Sequence, residues 1–183
     1  MNGLSPTTRI VLNALAVQGG WFACVLLAAA GWGWVGALIL GALLLLHLVI
    51  NEVRCEEVRL LALTACLGFV IDTLLALGGV LRFEASAFSP VIAPPWLVAL
   101  WLNLATSFRH SLRWLAGRPV LAALFGAIGG PLAYYGGAKL GALTLGENPV
   151  MSLIALAVVW GAFLPAVYTI AECRSRAVTP PVP

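Results

Sequence analysis

Charge is the scarcest property of this chain: ten Lys or Arg and seven Asp or Glu among 183 residues. A soluble domain is about a quarter charged and about half apolar. Here 9% of residues are charged, 62% are hydrophobic and mean hydropathy is +1.02. A water-soluble chain of this size has too little interior to hide so much apolar side chain. The shortage of charge therefore excludes a soluble domain, and with so little solvated surface no nucleic-acid partner is expected. The net charge of +3 says little by itself, because charge near a bilayer acts through its position.

Other features are missing too. The four cysteines, Cys24, Cys55, Cys66 and Cys173, lack the recurrent short spacings of a zinc site or a disulfide framework. They read as small core residues and free thiols. Neither a metal nor a cofactor is expected. No nucleophile–base pair or phosphate loop is visible, which leaves enzymatic activity open. Nor is there an inverted repeat, since the Gly-Gly-Pro helix of the second half has no counterpart in the first. Arg9, the apolar run after it and the Ala28-Ala29-Ala30-Gly31 end have the outline of a signal peptide. That run, however, exceeds the usual apolar region of about 7–15 residues and contains Asn13 and Gln18. A retained first helix is expected.

What the chain does have is apolar length. Six segments, approximately 9–30, 32–50, 59–80, 95–116, 119–138 and 149–171, are bounded by charge, Gly or Pro. Each is long enough to cross a hydrocarbon layer of about 30 Å at 1.5 Å per residue. In lipid the backbone must satisfy its own hydrogen bonds, so the segments are predicted to be helices. The expected fold is all-α: one membrane domain over 1–176, a bundle of about six transmembrane helices, then a disordered Pro-rich tail over 177–183. With both termini in the cytoplasm, that side receives Arg9, Arg54, Arg59, Arg109, Arg113, Arg118, Arg174 and Arg176, against Arg82 and Lys139 outside. This is a positive-inside bias over short loops.

The densest basic stretch, SFRHSLRWLAGRP at 107–119, then becomes the cytoplasmic end of helix four and the turn into helix five. Arg109, Arg113 and Arg118 are candidates for a lipid headgroup site, and the last two also serve as topology determinants. Asn103, Thr106, Ser107 and His110 recur at helical spacing and form one predicted stripe. Lipid cannot satisfy such groups, so the stripe should face other helices or a wet cavity. Asp72, near the middle of helix three, costs about 2.5–3.5 kcal/mol to insert and needs a partner. The choices are a bridge to Arg109, direct or through water, or a neutral carboxyl donating to a neighbouring helix. Asn13 and Gln18 lie at depths that suit the same polar pocket. His47 reads as an interfacial histidine, and Glu52, Glu56 and Glu57 as solvated loop residues.

Helix five repeats small residues four apart: Ala122, Gly126 and Gly130 in one row, and Gly129, Ala133, Gly137 and Gly141 in another. Such rows let backbones approach closely on two faces. Pro131 is expected to kink or break this helix at mid-membrane.

FRHSLRW, GAIGGPLAYYGGAKLGAL, the Asn and Gln of helix one and the Asp within GFVIDTLLALGGV together resemble a bacterial family catalogued as domain of unknown function 2878. The resemblance covers nearly the whole chain. It implies a small multi-pass inner-membrane protein of a Gram-negative bacterium, from gene neighbourhoods that contain fatty-acid-modifying methyltransferases, which hints at lipid chemistry and shows no activity. It supplies no catalytic residues. The leading expectation is a protein that binds or processes lipids at the cytoplasmic leaflet, with membrane lipids as partners. The alternatives are a proton-linked small-solute transporter titrating at Asp72, and a scaffold that recruits other membrane proteins through helix five.

Overall fold

The structure, a computed structural model, describes residues 5–50, 55–83 and 89–178, with side chains except at 50, 56 and 171–178. Arg54, Glu52 and tail residues 179–183 lie outside the described residues, as do the side chains of Glu56, Cys173, Arg174 and Arg176. Residues 177 and 178, assigned above to the tail, still belong to the last helix.

Among the described residues the chain forms α1 (Pro6–Ala29), α2 (Gly33–Ile50), α3 (Cys55–Leu77), α4 (Pro95–Ala105), α5 (Pro119–Leu140) and α6 (Pro149–Val178). Proline opens four of them, where its fixed φ suits a helix start and its missing N–H is not needed. Ser5 caps α1, its hydroxyl accepting from the Thr8 backbone N–H at 3.1 Å. Two short strands, β1 (Leu81–Arg82) and β2 (Thr144–Leu145), pair antiparallel and tie the end of α3 to the end of α5. Arg82 and Glu147 add an ion pair at 3.7 Å there, exposed and so of little energetic weight.

Four helices are long and apolar enough to cross a membrane: α1, α3 from Glu57, α5, and α6 as far as Ile170. Their outward faces carry Leu15, Leu74, Leu132 and Val158, all exposed. In water such a surface would aggregate; facing acyl chains it costs nothing.

Short α4 is the hub, packing against α1, α2 and α3. α5 and α6 form the most extensive pair and join the rest through α4 and α1. Here the structure departs from the sequence reading. The predicted fourth helix ran to residue 116, but α4 ends at Ala105 after 11 residues. The cause is local. The Thr106 hydroxyl donates to the Asn103 carbonyl at 2.7 Å and the Ser107 hydroxyl to that of Leu104 at 2.5 Å. Ser and Thr side chains offer the backbone this alternative to continuing a helix. The chain then proceeds by tight turns, with Ser107 N–H to Leu104, Phe108 N–H to Ala105 and His110 N–H to Ser107, into a 3₁₀ turn at Arg113–Leu115. The expected polar stripe is therefore not one face of one helix. Conversely, Pro131 lies inside an uninterrupted α5. The break expected in helix five falls instead after α4.

Candidate functional site

Asp72 is fully buried and held between two neighbouring helices. Trp101 on α4 donates its indole N–H to Oδ2 at 2.6 Å, and Tyr134 on α5 donates its hydroxyl to Oδ1. Gly68, one turn before Asp72, makes this possible, because a Cβ there would collide with the Trp101 ring. The far face of Trp101 stacks on Trp160 of α6, with centroids 4.6 Å apart and planes 8° apart. Phe163 meets both indoles edge-on. One carboxyl thus joins α3, α4 and α5, and the aromatic stack extends the junction to α6. The alternative bridge to Arg109 is not formed: Asp72 makes no ion pair among the described residues.

Trp101 and Tyr134 also form part of the wall of a cavity of about 360 Å³. It runs between α1 and α5, against α4 and α6, and its lining is mostly apolar, including Val17, Leu104, Phe125 and Leu164. A volume in this range suits a small-molecule or single-chain ligand. Polar atoms reach it from Gln18, Asn103, Ser107 and Ser111. Asn103 is anchored across helices, its amide donating to the Val17 carbonyl at 2.8 Å, and Gly20 gives it the room. Asn13 braces the turned segment after α4. Its amide donates to the Thr106 carbonyl at 3.3 Å, and its Oδ1 accepts from both N–H and hydroxyl of Ser111. Irregular backbone at membrane depth survives only where protein or a cavity covers it, and residues 106–112 meet that condition.

Of the residues singled out in the sequence, Gln18, Asn103 and Ser107 line this cavity, and Asn13 and Thr106 brace its end. Asp72 stands behind its wall. The two small-residue rows of α5 differ in what packs against them. A Cβ at Gly126 would strike the Trp160 backbone carbonyl, and one at Gly130 the Trp160 ring, so this row receives α6. Gly129, Ala133 and Gly137 line the cavity, whose wall Gly126 and Gly130 also join. The expectation of close approach on two faces is corrected to one.

His110 belongs elsewhere. It meets His47 from the last turn of α2 and Glu57 from the first turn of α3. His47 Nε2 lies 2.8 Å from Glu57 Oε1, and His110 Nε2 lies 3.7 Å from the same oxygen. The imidazole rings are 5.2 Å apart and nearly perpendicular. Glu57, read above as a solvated loop residue, is instead 9% exposed and helical, because the helix begins four residues before Arg59. Arg109, next to His110 in the chain, is half-buried, whereas Arg113 and Arg118 are exposed. Two imidazoles and a carboxylate are the only group of three close metal-ligating side chains among the described residues. The sequence offers them as three unconnected features: an interfacial histidine, a loop glutamate and one member of the helix-four stripe. A pairing by helix ends would have found them, since alternating spans put the end of helix two, the start of helix three and the end of helix four on one side.

The fold defines an all-α membrane protein, with an apolar exterior, four helices of membrane-crossing length and a buried polar junction. Residues 10–166 match the family model described as Protein of unknown function (DUF2878), and the chain belongs to that family. No curated protein and no solved structure matches it.

Proposed function

We propose that this is a bacterial inner-membrane protein that binds a single acyl chain of a membrane lipid in the cavity between α1 and α5. The observation that carries the reading is the cavity itself, apolar along its walls and edged by amide and hydroxyl groups at Gln18, Asn103 and Ser111. A pocket of this kind inside a membrane protein has acyl chains as its most abundant neighbours, and polar atoms near one end suit an ester or headgroup. In this reading α4 and the turned segment after it make one pass, α2 another, and both termini lie in the cytoplasm. The cavity's Ser107–Leu112 end then sits at the cytoplasmic leaflet. Arg113 and Arg118, on the chain just beyond, are available to anionic headgroups, as arginines at that interface are.

Proton-linked transport is less well supported, because Asp72 is sealed behind Trp101 and Tyr134 and both its oxygens already accept hydrogen bonds. A scaffold role is weakened because one small-residue row of α5 is occupied by α6 and the other lines the cavity. The test is native mass spectrometry of the protein extracted in mild detergent. Wild type is expected to retain lipid, and Ala133→Phe, which fills the cavity from α5, to lose it. Equal retention by a folded Ala133→Phe would refute the assignment.

A further inference from the structure

We propose that His47, Glu57 and His110 form a binding site for a divalent transition-metal ion of the zinc class. Three elements supply the three side chains: the end of α2, the start of α3 and the turn after α4. Each offers one ligand atom, and all three atoms lie within 4.8 Å of one another. Ligands held about 2.0–2.2 Å from a tetrahedral ion are themselves about 3.3–3.6 Å apart. The separations of 2.8 and 3.7 Å from Glu57 Oε1 bracket that range, and with all three atoms within 4.8 Å, side-chain adjustments of about 1 Å would admit an ion.

The donor chemistry narrows the choice of ion. Imidazole nitrogen with one carboxylate suits zinc and ferrous iron, whereas calcium and magnesium take all-oxygen sets and cuprous copper prefers sulfur. A second observation points the same way. His110 Nε2 is buried and makes no hydrogen bond, a position that costs free energy unless something occupies the lone pair. Glu57 Oε1 is too distant to serve, yet an ion between them would be bound by both. With three protein ligands the ion keeps a position open for water or another oxygen ligand, as in sites of the two-His, one-carboxylate kind. Metal binding would also lock the end of α2 and the start of α3 to the segment that closes the lipid cavity, because the His110 backbone N–H is bonded to the carbonyl of Ser107 in the cavity lining.

The test uses the full chain, purified in detergent with any affinity tag removed and stripped with a chelator. Titration with Co²⁺ alone is expected to give visible d–d bands saturating at about one ion per chain, and Zn²⁺ to displace them and raise Tm. Glu57→Gln and His110→Ala are each expected to weaken binding by about 100-fold or more and to abolish the zinc-dependent rise in Tm. His47→Gln, which keeps a hydrogen-bonding group in place, carries the same expectation should either of those variants fail to fold. Absence of cobalt bands and of any Tm response in wild type would overturn the site and leave the group a structural ion pair. Unchanged affinity in the folded variants would overturn it equally, by placing the ion elsewhere.

Discussion

The indole of Trp101 reaches Asp72 across 2.6 Å, and this bond explains how a carboxyl fits inside a membrane bundle with no cation paired to it among the described residues. Trp101 is a donor with no acceptor capacity, and the Tyr134 hydroxyl supplies the second bond. Each partner satisfies the other, and the ring faces add packing with Trp160 and Phe163.

Replacing Asp72 separates hydrogen bonding from charge. In Asp72→Asn the amide oxygen still accepts from Trp101, and the amide N–H₂ can donate to a reversed Tyr134 hydroxyl. In Asp72→Leu both donors are left buried without acceptors, at about 1–3 kcal/mol each. Thermal unfolding in detergent is expected to show a small change for Asn and a large loss for Leu. Equal losses would mean that charge, and not acceptor capacity, is what the site requires.

The glycines of α5 give a second contrast. Gly126→Ala drives a Cβ into the Trp160 backbone carbonyl, which cannot swing aside, and should destabilise by about 1–3 kcal/mol. Gly129→Ala meets nothing closer than Phe125 at 3.9 Å and is expected to stay within about 0.5 kcal/mol of wild type. Similar melting temperatures for the two would contradict the α5–α6 packing.

Asn103→Ala removes a cross-helix bond from α4 to α1. Such bonds average about 0.6 kcal/mol and reach about 1.7 kcal/mol in a membrane, so a modest drop in Tm is expected. The same variant alters the cavity wall, so lipid retention should change more than stability does. A variant unchanged in lipid content but strongly destabilised would make Asn103 purely structural.

Orientation is open to a direct check. A reporter fused after Pro183 is expected to be active only in its cytoplasmic form, given the arginine distribution. A periplasmic readout would move the Ser107–Leu112 end of the cavity to the opposite leaflet.

Much of this was legible in hydropathy. Five of the six apolar segments became helices whose ends fall within a few residues of expectation, except where α3 begins earlier and α6 runs further. The fourth failed because hydropathy does not register hydroxyls turning back to carbonyls three residues behind, as those of Thr106 and Ser107 do. Asp72 announced itself by its insertion cost, but Trp101 and Tyr134 did not, because both read as apolar. The one hint was Gly68, a gap a turn away that admits a large ring. The sequence gives no sign of the His47–Glu57–His110 group, because its significance lies in a convergence that needs the third dimension.

The cavity is tested most directly by photo-crosslinking in membranes, with a phospholipid carrying a diazirine on one acyl chain. Adducts mapped by peptide mass spectrometry are expected to concentrate at Val17, Leu104 and Leu164, which line the cavity, and to disappear from them in Ala133→Phe. Adducts confined to outward residues such as Leu15, Leu74, Leu132 and Val158, with none inside, would contradict lipid binding there.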